Sequence, residues 1–295
     1  MLRRVLSAGC VIGLVIGLAL GLAGLSASSL AADGRPKEPQ SAFSAKMRPD
    51  ILGISTDSAA DAALAILEAA FKARAGTKTG IERQKSAGTA AGYIAALTFD
   101  FPAAPKQGGE AIAAGFTAPA SGNRAFVVDR NLAFAPDQQP SAAEMIRQAI
   151  DKYGAPTIVG DQRLYYIYRG GRIVSVGAKY NAATALEAIG RPLDPRAAIK
   201  LNAASGKGSC VASVKRLQAM ATTLAAMLEE AKAANCDGAL SVQLTPGIAP
   251  DRVGTARFTL LDLRRIVSAA AIDAEALAAE NSKRNPEPQG IVPKL

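Results

Sequence analysis

Residues 164–176 read Leu164-Tyr165-Tyr166-Ile167-Tyr168-Arg169-Gly170-Gly171-Arg172-Ile173-Val174-Ser175-Val176. Two runs rich in β-branched and aromatic residues flank Gly170-Gly171. Paired glycines supply the positive φ angles that a two-residue hairpin turn demands. So short a connection joins only antiparallel neighbours. This stretch therefore predicts a hairpin and points to an antiparallel sheet.

The signs around it agree. Upstream, Ser141-Ala142-Ala143-Glu144 matches a capping box, and Met145, Ile146, Ala149 and Ile150 follow at helical spacing. That helix is expected to stop at Tyr153-Gly154-Ala155-Pro156, because glycine takes a left-handed exit and proline cannot continue. Ser58-Ala59-Ala60-Asp61 matches a capping box too, with Leu64, Leu67 and Phe71 behind it. Tyr93, Ala95, Leu97, Phe99 and Phe101 alternate with Ile94, Ala96, Thr98 and Asp100, which reads as a strand. Arg124 to Phe134 is a further strand-rich stretch. Ala239–Leu244 and Val253–Leu261 flank Pro246-Gly247 as another hairpin, and Arg264–Glu280 reads as an alanine-rich helix. The expectation is an α+β fold of capped helices packed on antiparallel strands and hairpins. The two capped helices, each followed by antiparallel strands, suggest a duplicated α+β unit. Residues 49–178 read as a first α+β region and 179–280 as a second.

The ends differ in kind. Met1-Leu2-Arg3-Arg4 precedes a charge-free apolar run from Val5 to Leu25, and Ser29-Leu30-Ala31-Ala32 supplies small residues for cleavage. Residues 1–32 read as a secretory signal peptide. Their length also suits a retained anchor, with Gly9, Gly13, Gly17 and Gly21 on one helix face as a dimerisation seam. Arg3-Arg4-Val5-Leu6 is a partial twin-arginine pattern. Ser7-Ala8-Gly9-Cys10 resembles a lipoprotein box placed too early in the apolar run. Residues 33–48 read as a polar linker and 281–295, with three prolines, as a disordered tail. The expected location is periplasmic or secreted, or inner-membrane anchored with a periplasmic domain. Without residues 1–32 the chain keeps 32 basic and 25 acidic residues, a net charge of +7. Outside the inner membrane such a surface meets anionic envelope components rather than nucleic acid.

Export makes the cysteines informative. The mature chain keeps Cys210 and Cys236, an even number in an oxidising compartment, and a disulfide is expected. The apolar stripe Val211, Val214, Leu217, Ala221, Leu224, Leu228 and Ala231 opposes it, because a straight helix over 211–234 is about 36 Å long. An extended arm over 210–217 and a helix over 218–234 would bring the cysteines together. In the alternative, one full helix starts at an Ser209 cap and leaves Cys210 as a reactive thiol.

Composition removes much chemistry. The chain has no histidine, so it has no Ser-His-Asp or Cys-His nucleophile pair and no histidine-ligated zinc. Three cysteines cannot build a four-cysteine centre. No metal and no cofactor is expected, and no catalytic residue is assigned. Gly206-Lys207-Gly208-Ser209 lacks phosphate-loop spacing and reads as a loop leading to Cys210. Arg163, Tyr165, Tyr166, Tyr168, Arg169 and Arg172 interleave basic and aromatic groups, and form the candidate ligand-binding surface.

Three further segments carry a likeness. They are Asp50-Ile51-Leu52-Gly53-Ile54 before a capped helix, Ala149-Ile150-Asp151-Lys152-Tyr153-Gly154-Ala155-Pro156 at a helix exit, and Cys236-Asp237-Gly238 at the start of a strand. With them, residues 49–275 resemble uncharacterised secreted and periplasmic proteins of alpha-proteobacteria. More distantly, a helix followed by a meander is similar to the small lipoproteins of outer-membrane assembly, which are much shorter and lipid-anchored. Neither likeness supplies catalytic residues. The expected function is non-enzymatic binding of an envelope component or partner protein. The alternatives are a carboxylate-pair hydrolase and a membrane-anchored scaffold dimerising through the glycine seam.

Overall fold

The computed structural model describes residues 38–46, 48–85, 92–160, 162–174 and 209–284. The signal or anchor over 1–32, its glycine seam, Gly206-Lys207-Gly208 and the tail beyond Arg284 lie outside the described residues.

The fold is α+β, built on one antiparallel sheet. After a small hairpin, β1 (Asp50–Ile51) and β2 (Ile54–Ser55), comes helix α1 (Ala60–Phe71). A four-strand meander follows: β3 (Lys78–Gln84), β4 (Tyr93–Phe101), β5 (Gly109–Phe116) and β6 (Ala125–Ala133). Then come α2 (Ala142–Tyr153), β7 (Ile158–Gly160), β8 (Arg163–Arg169) and β9 (Arg172–Ile173). The chain ends with α3 (Cys210–Leu217), α4 (Leu224–Ala233), β10 (Gly238–Pro246), β11 (Val253–Asp262) and α5 (Leu263–Arg284). The sheet order is β3-β4-β5-β6-β11-β10-β8-β7, with β9 on the same edge of β8 as a short extra pair.

The β10–β11 hairpin therefore sits between β6 and β8. Thr255–Leu261 pairs with Ala133–Val127, and Gly238–Gln243 pairs with Tyr168–Arg163. The expected division near residue 178 does not divide the sheet, because the later strands complete it. Nor do the two capped helices each open the same unit, since among the described residues α1 leads into four strands and α2 into three. The 169–172 hairpin forms as read: Gly170 and Gly171 have φ of 56° and 75°, and Arg169 pairs with Arg172.

Side chains alternate across the sheet, and its central strands are covered on both faces. On the first face Leu97, Phe99, Ile112, Val128, Leu240, Leu260 and Tyr166 pack against α1 and α2. On the second, Phe126, Val127, Tyr165, Ile167, Ala239 and Leu261 pack against α3, α4 and α5. The helices supply Leu67 and Phe71 (α1), Ile146 (α2), Val214 and Leu217 (α3), Met227 (α4) and Ile266 (α5).

The two capping boxes differ. The Ser141 hydroxyl accepts the Glu144 N–H and caps α2. Ser58 does not cap α1; its hydroxyl accepts the Ser55 N–H, and Ala59 occupies the cap position. The β1–β2 turn claims the serine first. The expected linker is corrected as well. Ala42 and Phe43 are buried, and the Phe43 ring meets Tyr168 edge-on at 4.7 Å. Nor does the chain loosen at 281, because α5 continues to Arg284.

Cys210 and Cys236 form the expected disulfide, with Cα atoms 5.6 Å apart. The path between them is neither an extended arm nor one long helix. α3 and α4 form a helical hairpin of about 12 Å out and 15 Å back. Ser209 caps α3 by accepting the Ala212 N–H, and Thr223 restarts the helix by accepting the Ala226 N–H. The reversal at 218–223 rests on β5, where Gly115 has no space for a Cβ beside the Thr222 carbonyl. The apolar stripe is thus helical at both ends and broken where a threonine cap meets the sheet.

Asp262 joins several of these elements. Fully buried at the end of β11, it caps α5 by accepting the Arg265 N–H at 2.9 Å. It also accepts the Ser41 hydroxyl, the Ala42 N–H and the Thr56 hydroxyl. Asp262→Ala is expected to lower stability by about 3 kcal/mol, because it removes the α5 cap and leaves the buried Arg265 to Asp57. Ser141→Ala should cost about 1 kcal/mol, and Ser58→Ala distinctly less than Asp262→Ala. Urea unfolding of the three variants gives the ranking. Replacing both Cys210 and Cys236 by alanine should lower stability by roughly 3 kcal/mol, read from the same midpoints.

Candidate functional site

β8 exposes the flaw in the expected tyrosine–arginine surface. Tyr165, Tyr166 and Tyr168 are all buried, at 2%, 0% and 2% exposure. Alternation sends Tyr165 into the second-face core and Tyr166 and Tyr168 into the first. The Tyr166 hydroxyl donates to the Ala149 carbonyl at 3.4 Å, and burial pushes the Tyr166 and Tyr168 hydroxyls above their ordinary range. None of the three offers a ring face for stacking. The arginines separate too. Arg163 donates to the Gln243 amide oxygen at 2.8 Å at one end of β8. Arg169 and Arg172 lie at the hairpin tip about 20 Å away, where Arg169 donates to the Asn235 carbonyl. These six residues form no common surface.

A different site forms on the first face, between α2, the β1–β2 turn and the sheet. It is a cleft of about 150 Å3. Its floor is the cross-strand pair Arg130 and Phe258. Ile51 and Leu52 form one wall, and Met145, Gln148, Ala149, Lys152 and Tyr153 of α2 form the other. The α2 residues follow the spacing that puts side chains on one helix flank.

The turn wall is held under constraint. Leu52 and Gly53 have φ of 54° and 79°. Glycine takes that conformation freely, whereas leucine pays a steric cost of about 1–2 kcal/mol. Asp50 closes the turn by accepting the Gly53 N–H at 2.9 Å. Asp50 also binds Lys152 at 2.9 Å, and its carbonyl accepts the Tyr153 hydroxyl at 2.9 Å. Turn and helix are therefore tied across the cleft. Burial, and secondarily Asp50, pushes the Tyr153 hydroxyl upward, so it stays a neutral donor.

Beneath the floor lies a charge imbalance. The Glu110 side chain, 4% exposed, pairs with both Arg74 and Arg130. Arg74 also lies over the Phe71 ring at 4.9 Å. Arg130 commits its Nε to Glu110 at 2.6 Å, while its guanidinium borders the cleft. Two arginines on one carboxylate leave one positive charge in excess.

The other interior carboxylates are matched. Asp129 takes Arg257 at 3.0 Å and the Thr259 hydroxyl at 2.6 Å, and Asp262 takes Arg265. Asp273 on α5 differs: burial raises it above its ordinary value, against hydrogen bonds from Ser121 and the Ala118 N–H. It fastens α5 to the 118–121 turn and lies outside the cleft.

The sequence reading missed Arg130, Glu110 and Lys152 as a group. A signal lay in Asp50-Ile51-Leu52-Gly53-Ile54, where Leu-Gly marks a tight turn, and in the Lys152-Tyr153 helix exit. Comparison with protein-family models, curated proteins and solved structures finds no match to this chain.

Asp273 generates a pH prediction. Its folded carboxyl holds a proton more tightly than the unfolded one, so its contribution to stability falls as pH rises from 3.8 through the raised folded value. Asp273→Asn should therefore be favourable relative to the parent at neutral pH. Its advantage should shrink as pH drops below that window. Urea midpoints measured across acid to neutral pH give the test; an advantage that grows on acidification would contradict it.

Proposed function

We propose that this protein is an exported, non-enzymatic binding protein that takes an acidic group of an envelope component, bearing a short apolar neighbour, in the cleft between α2 and the β1–β2 turn. The observation that carries this reading is the surplus guanidinium: Arg74 and Arg130 share Glu110, and Arg130 borders the cleft beside Lys152. Ile51, Leu52, Met145 and Phe258 give the cleft an apolar lining next to that charge. A volume of about 150 Å3 suits one end of a ligand rather than a whole drug-sized molecule. The Cys210–Cys236 disulfide suits an oxidising compartment, which agrees with the periplasmic or secreted address read from residues 1–32. Among the described residues no helix is long and apolar enough to cross a membrane.

The hydrolase reading gains no support from the arginine-matched carboxylates. The anchored-scaffold reading rests on glycines outside the described residues.

Hexanoate and inorganic phosphate, titrated separately and followed by amide NMR, test the proposal. Hexanoate should shift the amides of Leu52, Gln148 and Lys152, and phosphate should shift them more weakly because it leaves the apolar lining empty. Lys152→Gln should weaken hexanoate binding about threefold to tenfold, and added salt should do the same. If neither probe moves these amides, the cleft is not the binding site and the reading fails.

A further inference from the structure

β3 is an unusual edge. It pairs with β4 alone, and all seven of its residues are exposed. Among the described residues nothing covers its outer side. Such an edge presents unpaired N–H and C=O groups to any strand that can approach. Its sequence, Lys78-Thr79-Gly80-Ile81-Glu82-Arg83-Gln84, decides which strand that is.

The regular part of β3 is short. A register shift falls between Glu82 and Arg83, where Ala95 of β4 is the extra residue, so the regular register with β4 runs from Lys78 to Glu82. The centre of that segment is Gly80. The bulged residue belongs to β4, and β3 pairs on through Arg83 and Gln84. Among the two-fold registers open to β3, the one centred on Gly80 sets opposite charges together. A two-fold axis through Gly80 would bring a second β3 alongside in antiparallel order. Lys78 would then lie opposite Glu82 of the second copy, and Glu82 opposite its Lys78. Thr79 would lie opposite Ile81, a pair of β-branched side chains suited to neighbouring strands. Gly80 would meet Gly80, with no side chain at the axis.

We propose that β3 is a self-complementary edge, through which a second copy of this chain adds its own β3 to form a continuous sheet. Charge complementarity selects this occupant. Lys78, Gly80 and Glu82 lie on one face by alternation, so both ion pairs form on the same side. Within the chain Lys78 also faces Asp100 on β4, which leaves it between two acids in the pair. A foreign strand would have to offer the reverse charge order at the same spacing. The charges that repel unrelated strands therefore accept an identical one. Ile81, 40% exposed in the single chain, gains a neighbour on assembly. This inference is independent of the cleft.

Sedimentation equilibrium from micromolar to millimolar concentration tests it. The parent chain should show a monomer–dimer equilibrium that weakens with added salt. Lys78→Glu and Glu82→Lys should each weaken the dimer about tenfold, since each turns both cross-strand pairs into like-charge pairs. An equimolar mixture of the two variants should associate again, because every pair is then opposite in sign. Both residues are exposed, so neither change threatens folding. A parent chain that stays monomeric over the whole range overturns the proposal. So does a dimer that ignores the single changes, or a mixture that fails to recover. Hexanoate titration of the same variants should be unchanged, which separates this result from that of the cleft.

Discussion

The carboxylate of Asp262 is the point on which much of the structure depends. A buried charge survives only when hydrogen bonds and an opposite charge surround it. Here the donors come from separate parts of the chain: Ser41 and Ala42 before the first strand, Thr56 after β2, and Arg265 in the first turn of α5. Arg265 reaches on to Asp57, and Asp57 to Arg48. One side chain thus closes β11, starts α5 and anchors the segment that carries the β1–β2 hairpin. That hairpin supplies Leu52 to the cleft, so the cleft wall depends on a contact made elsewhere in the molecule.

The same logic governs the sheet. Helices on both faces force apolar side chains outward in both directions along β6, β8, β10 and β11. The tyrosines of β8 serve that need, filling one core with Tyr165 and the other with Tyr166 and Tyr168. Polar residues follow arginine instead. Glu110, Asp129 and Asp262 each face a guanidinium, which suits their burial. At Glu110 two guanidiniums meet one carboxylate, beside a cleft with an apolar lining.

The disulfide adds a second constraint, local to the other face. It ties the first residue of α3 to the chain just before β10, so the α3–α4 hairpin cannot lift away from the second-face core. α5 packs beside α4 and carries Asp273 to the 118–121 turn. The described helices of the second face are therefore fixed at the disulfide, at the Asp262 cap and at Asp273.

Local physics was legible in the sequence. Gly170-Gly171 specified its turn because only positive φ angles close a two-residue hairpin. Ser141 capped α2, the alternation at 93–101 made β4, and Cys210 and Cys236 paired with each other. Non-local physics was not. Ser58 matches the same motif as Ser141, yet the neighbouring turn takes its hydroxyl. Phe43 gave no periodic sign of the core it enters. β3 has no apolar alternation, because an edge strand with both faces open needs none. An apolar run such as Leu164–Tyr168 shows burial on both faces but not what covers them. Strand order, and with it the meeting of Arg130, Lys152 and Leu52, came from tertiary pairing between β6 and β11. Those strands are more than a hundred residues apart, and no local window of sequence contains both.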